Sequence, residues 1–97
     1  MPFAIVLAPE AVDDLKRLTA NVRATVRAEI ETHLRYEPKK TSRSRIKRLR
    51  GLRQPQYRLR VGKVRVFYDV GVTTVDVLAI VSKSEAESWL GQFGNPE

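Results

Sequence analysis

Two short runs, Tyr57-Arg58-Leu59-Arg60-Val61 and Val64-Arg65-Val66-Phe67-Tyr68, flank the dipeptide Gly62-Lys63. Each alternates with a period of two, which sends successive side chains to opposite faces of a strand. A two-residue connection with glycine first is what a type II′ hairpin requires. Together these features fix a register in which Val61 faces Val64, Arg60 faces Arg65, Leu59 faces Val66, Arg58 faces Phe67 and Tyr57 faces Tyr68. One face of the ribbon (Tyr57, Leu59, Val61, Val64, Val66, Tyr68) is then committed to a core. The other carries Arg58, Arg60, Arg65 and Phe67.

The rest of the chain supplies what that ribbon must pack against. Phe3 to Leu7 is an apolar run stopped by Pro9, the pattern of a buried strand that hands over to a helix entered through Pro9 and Glu10. Val12, Leu15 and Leu18 recur at helical spacing. Val22, Val26, Ile30 and Leu34 then repeat every four residues, predicting a second helix that starts near Asn21 and ends before Pro38. Lys39 to Gln56 is polar and basic apart from Ile46, Leu49 and Leu52. With Gly51 and Pro55 breaking it, this stretch reads as a loop with at most one helical turn. After a turn at Gly71 to Thr73, Val75 to Val81 is nearly continuous apolar sequence, expected of a central strand covered on both sides. Ser84-Glu85-Ala86-Glu87 fits a capping box for a short last helix, which Gly91 can end. The predicted architecture is a single α+β domain over residues 1–97. It has an N-terminal strand, a two-helix hairpin, a three-stranded antiparallel meander completing one sheet and a short C-terminal helix.

Charge narrows the partners. Of 18 Lys and Arg residues, twelve lie between Glu37 and Asp69, where there is no Asp or Glu. With a formal net charge of +7 and pI near 10.3, the chain suits a polyanion. No cysteine is present and His33 is the one histidine, so thiolate chemistry and Cys- or His-based metal clusters are not expected. The apolar N-terminal run is too short for a signal segment or a membrane span, and a soluble intracellular protein is expected.

The arginine face is the candidate site. Arg60 directly opposite Arg65 is a like-charge pair, an arrangement that destabilises a ribbon and is best explained by an anion it exists to bind. Guanidinium forks suit phosphate, and Phe67 beside them can stack a base, which points to single-stranded RNA rather than duplex DNA. Lys47, Arg48, Arg50, Arg53 and Lys63 extend the RNA-binding surface. Asp69 and Glu85 are possible ion-pair partners of the site. His33, with no evident partner, reads as a packing residue. Tyr57 and Tyr68 fill the core, and Trp89 caps the sheet.

Taken together these residues resemble the RelE/ParE superfamily of bacterial type II toxins, above all its RelE-like messenger-RNA endoribonucleases. The resemblance covers nearly the whole chain. It is carried by the N-terminal strand and the Pro9-Glu10-Ala11-Val12-Asp13-Asp14-Leu15 helix start, by Lys47-Arg48-Leu49-Arg50-Gly51-Leu52, by the hairpin from Tyr57 to Tyr68, and by the closing strand running into Lys83-Ser84-Glu85. It implies that Arg58, Arg60 and Arg65 bind and polarise a scissile phosphate; where relatives often have Arg or His after the last strand this chain has Lys83, the candidate for a fourth cation or an acid. The 2′-hydroxyl would attack its own 3′-phosphate on message in the ribosomal A site, without cofactor or metal. A cognate acidic antitoxin and a cytoplasmic location are implied as well. The resemblance leaves the general base and acid unassigned, since arginine stands here where relatives often have lysine. It also leaves two alternatives open: a ParE-like inhibitor of DNA gyrase, and a non-catalytic RNA-binding relic of the same fold.

Overall fold

A computed structural model describes residues 1–97. At its centre is the hairpin, β4 (Tyr57–Val61) and β5 (Val64–Val70), paired in the register read from the sequence at all five positions. Gly62 has φ +58, and no residue other than glycine has positive φ. Positive φ at the first turn position alone is the signature of type II′.

The meander continues into β6 (Thr74–Ser82), antiparallel to β5. β1 (Ala4–Leu7) pairs parallel to β6, reached through α1 (Pro9–Arg17) and α2 (Ala20–Leu34). The sheet order is β1-β6-β5-β4-β2, where β2 is Ile46–Arg48. On one side of the sheet, Leu59, Val66, Tyr68, Val75 and Val77 pack with Ala11, Leu15, Val26, Ile30 and Leu34 of the two helices. Each of the larger apolar side chains fully buried there contributes about 1.5 to 3 kcal/mol relative to exposure. Val22, expected on the same stripe, lies at the helix start beside the Gly62 turn and is 40% exposed.

Tyr68 ties this core to the segment after α2. Its ring stacks on Tyr57 at 5.5 Å, and its hydroxyl donates to the Pro38 carbonyl at 2.7 Å. Burial, then the neighbouring Tyr57, push its phenol pKa up.

Four expectations are corrected. The Lys39–Gln56 segment is not a plain loop. It contains β2 and β3 (Leu52–Gln54), and β3 forms a separate two-stranded sheet with β7 (Asn95–Pro96). β2 exists because its backbone completes the edge of β4 and Ile46 enters the core, while Lys47 and Arg48 stay exposed. The capping box at Ser84 and Glu87 does not form. A 3-10 turn at Lys83–Glu85 leads into α3 (Ala86–Phe93), and Ser82 Oγ donates instead to Glu85 Oε1 at 2.8 Å. The helix runs through Gly91 and stops at Gly94, whose N–H bonds Leu90 O at 2.9 Å. Finally, β6 is not uniformly covered, because Asp76, Leu78 and Val81 remain half-buried around an irregularity opposite Phe67 and Tyr68.

Candidate nucleic-acid interface

The second face of the sheet is divided between an apolar patch and a cationic one. Alternation sends Phe67 and its neighbour Ala79 away from the helix-covered core, and both are buried nonetheless. α3 is the reason: Trp89 lies parallel on Phe67, with ring centroids 5.1 Å apart and planes within 5°. Trp89 therefore caps the sheet as expected, but Phe67, 1% exposed, is not open to a base. The aromatic surface that a nucleotide would use is already taken by an indole.

Beside that patch, the register brings cations together in two rows. Lys47 on β2 is opposite Arg58 on β4, which is opposite Phe67. One step nearer the turn, Arg60 is opposite Arg65, and the Arg60 N–H bonds the Arg45 carbonyl at 2.9 Å, which sets Arg45 beside it. At the end of the ribbon the Lys83 N–H donates to Lys63 O at 2.7 Å, so both lysines stand at the Gly62 turn.

The three arginines differ in accessibility. Arg60 is exposed and Arg58 half-buried, with a buried Nε that has no hydrogen-bond partner. Arg65 is only 7% exposed, and its Nη1 donates to Gly62 O at 2.8 Å and Val64 O at 3.0 Å. Burial, then the charges of Arg65 and Arg60, pull the Arg58 pKa down; burial, then Arg60, do the same to Arg65. Burial is the larger cause at both positions, and the like charges of the neighbouring guanidinium groups add to it.

No carboxylate relieves that repulsion. The ion pairs are Asp14 with Arg17, Glu29 with His33, Glu31 with Arg35 and Glu37 with Lys40, all outside the arginine face. Asp69 and Glu85, considered as partners of the site, turn elsewhere. Asp69 accepts from Gln54 Nε2 and from the Gln56 N–H, both at 2.7 Å, and Glu85 accepts from Ser82. His33 does have a partner, Glu29 Oε2 at 2.7 Å, one helical turn away, a spacing that the sequence displayed.

The remaining basic residues are spread along the β2 edge. Lys47, Arg48 and Arg50, with Thr41, Ser42 and Glu97, line an open groove of about 620 Å³. Arg48 lies over the Tyr57 ring at 5.3 Å and donates to the carbonyls of Leu49 and Gln56, each at 2.8 Å, so it is a fixed wall of that groove. Arg53 belongs to β3 in the smaller sheet and is not brought to the arginine face. No group of three or more His, Cys, Asp or Glu side chains is placed to hold a metal ion. No helix is long and apolar enough to cross a membrane.

A five-stranded sheet with a helix hairpin on one side and a short C-terminal helix on the other, presenting a basic β-ribbon, defines a toxin of the RelE/ParE superfamily. Solved structures agree on the fold. The RelE–RelB complex of Pyrococcus horikoshii is similar with a TM-score of 0.69 at 23% identity, covering 86% of this chain and 97% of that one. The RelBE2 toxin–antitoxin complex of Mycobacterium tuberculosis is similar with a TM-score of 0.65 at 26% identity, covering 84% and 99%. A mutant of the E. coli toxin RelE in the free state gives 0.67 at 20% identity, covering 92% of each chain. No curated protein sequence matches. The family model for the ParE toxin of the type II toxin–antitoxin system parDE matches residues 5–87, and the chain belongs to that family.

Proposed function

We propose that this toxin is an endoribonuclease that cuts messenger RNA and so arrests translation. The observation that carries the reading is the uncompensated cluster of Arg58, Arg60 and Arg65 on one hairpin face, with Lys47 and Lys83 on its two flanks. Arg60 and Arg58 are the accessible forks for a phosphate. Arg65, anchored to the turn carbonyls, holds the ribbon end and adds its charge from beneath.

In the reaction, the ribose 2′-hydroxyl attacks the adjacent phosphorus and the phosphorane gains negative charge. A preorganised donor aimed at such charge contributes about 3 to 4 kcal/mol to lowering the barrier. The Arg65 guanidinium needs no reorganisation, since its bonds to the turn carbonyls already fix it. Lys83, at the turn, serves as a further cation and as proton donor to the leaving oxygen.

Complexes of the similar toxins contain RelB antitoxins, which supports a cognate antitoxin for this chain. With this net charge it would be an acidic one. Translated message in the ribosomal A site is the substrate that the RelE-like resemblance suggests, and the cytoplasm the place of action.

The test is expression of the toxin with its arginines altered. Wild type should arrest growth and fragment translated message, and Arg65→Glu or Arg60→Gln should relieve the arrest and sharply reduce fragmentation in a folded protein. Unchanged arrest and fragmentation would overturn the proposal. The parDE family match favours a second reading, inhibition of DNA gyrase. Loss of supercoiling activity with purified gyrase, together with intact message in arrested cells, would establish that reading instead.

A further inference from the structure

Cleavage by a 2′-hydroxyl requires a group that accepts its proton, and the arginine face supplies none of its own. Guanidinium stays protonated at every accessible pH, so Arg58, Arg60 and Arg65 can stabilise charge but cannot act as base. The other candidates fall away by position. His33 is on α2, across the sheet, and bonded to Glu29. Tyr57 and Tyr68 belong to the core face, and the Tyr68 hydroxyl is given to Pro38. Asp69 is held by Gln54 and Gln56, and Glu85 by Ser82. Asp76 lies opposite Asp69, at the end of the ribbon away from the Gly62 turn.

Two amines flank what remains. Lys83 stands on the β6 side beside Lys63, and Lys47 stands on the β2 side directly opposite Arg58. Directly opposed residues on neighbouring antiparallel strands have Cβ atoms about 4.5 to 5.5 Å apart on one face. β2 and β6 are separated by β4 and β5, or roughly 14 Å at about 4.8 Å per strand, so the two lysines stand on opposite sides of the strands that carry Arg58 and Arg60. In-line displacement at phosphorus needs its proton acceptor and its proton donor on opposite sides of the phosphate.

Lys47 differs from Lys83 in one respect. It also lines the open groove along the outer edge of β2, with Thr41, Ser42, Arg48 and Arg50, and that groove has room for the nucleotide that carries the attacking hydroxyl. The charged groups around Lys47 are Arg58 opposite it on β4 with Arg60 diagonal to it, Arg45, Arg48 and Arg50 from its own segment, and Glu97, the residue after β7, which lines the same groove. The Glu97 N–H is bonded to Gly51 O at 3.2 Å.

We infer that Lys47 is the general base of the proposed ribonuclease, an assignment that rests on that reading. The neutral Nζ of Lys47 takes the 2′-hydroxyl proton as the O2′–P bond forms. The P–O5′ bond breaks, and the 5′-oxygen leaves with a proton from the Lys83 ammonium. The products are a 2′,3′-cyclic phosphate and a 5′-hydroxyl end, and the two lysines return to their starting states by exchange with solvent.

The experiment is single-turnover cleavage of a labelled message, free and on a programmed ribosome, across pH, by wild type, Lys47→Arg and Glu97→Gln. Binding is measured in parallel with a message carrying 2′-deoxyribose at the cleaved position. Lys47→Arg keeps the charge and removes the base. Cleavage should fall about 10² to 10⁴-fold and lose its rise with pH, with binding and melting temperature as in wild type. Glu97→Gln, which alters a groove-lining carboxylate and not the base, should keep the wild-type rise of cleavage with pH. Wild-type cleavage that is equally fast and equally pH-dependent in Lys47→Arg overturns the assignment. So does a loss of binding in step with cleavage, which would make Lys47 a phosphate contact only, or a loss confined to Glu97→Gln. Failure of wild type to cleave either substrate while inhibiting gyrase would remove the ribonuclease reading itself, an outcome distinct from the others.

Discussion

Replacing Arg60 by Gln should make the protein more stable and less active at once. Arg60 is exposed, stands opposite Arg65 in the β4–β5 ladder, shares a face with Arg58 and has no carboxylate partner. Its charge contributes to lowering the pKa of both neighbours, which is the same repulsion seen from their side. Like charges directly opposed across strands cost about 0.2 to 1 kcal/mol. Glutamine keeps the aliphatic stem and removes the charge, so the melting temperature should rise by roughly 1 to 8 °C for a domain of this size. Salt should erase the gain, because the screening length falls from about 10 Å at 0.1 M to about 3 Å at 1 M. The loss of one charge-stabilising fork should lower cleavage about 10² to 10³-fold. Calorimetric melts of both proteins in low salt and in about 1 M salt, beside the cleavage assay, test the whole chain of reasoning. A variant that melts below wild type in low salt, or whose advantage is undiminished by salt, would show that the arginines are not held against repulsion.

Three further outcomes follow from the packing. Tyr68→Phe strands the buried Pro38 carbonyl and should cost about 1 to 3 kcal/mol at neutral pH by urea titration. Because the folded phenol is raised above its ordinary value of 10.0, its contribution is complete below that pH and lost above it. The gap between wild type and Tyr68→Phe should thus close as pH rises past 10.0, and a gap that widens would refute the burial of the hydroxyl. Trp89→Ala uncovers Phe67 and should cost about 1 to 3 kcal/mol, read by the same titration; no change would mean that α3 is not seated on the sheet. Gly62→Ala forces a side chain into the left-handed region and should cost roughly 1 to 2 kcal/mol, with an amide-exchange increase confined to the hairpin end.

What the sequence made legible was periodicity backed by length. The hairpin register, α1, α2 and the closing strand each span enough residues for a period of two or 3.6 to declare itself. β2 and β3 do not. A three-residue strand with Ile46 as its single buried side chain has no period, and its existence depends on a partner strand far along the chain. The cationic cluster was legible for the same reason as the hairpin, since the register alone sets Arg60 against Arg65. The accessibility of its members was not. Alternation says that Phe67 and Arg65 point away from the core, but α3 decides that Phe67 does not meet solvent, and Arg65 folds back onto the carbonyls of Gly62 and Val64. Sequence alone places Trp89 on the sheet and Phe67 under a base, and those two placements compete for one surface.

The parallel pairing of β1 with β6 has a consequence for how the toxin comes into being. Ala4 can find Thr74 only after the intervening chain has been synthesised, and closing so long a loop is the slow, entropically costly kind of contact. The hairpin can zip locally while still near the exit tunnel, yet the strand and helices that hold its inner face cannot assemble until β6 has emerged. The finished sheet, and with it the arginine face, is therefore acquired only once β6 is available to pair with both β5 and β1.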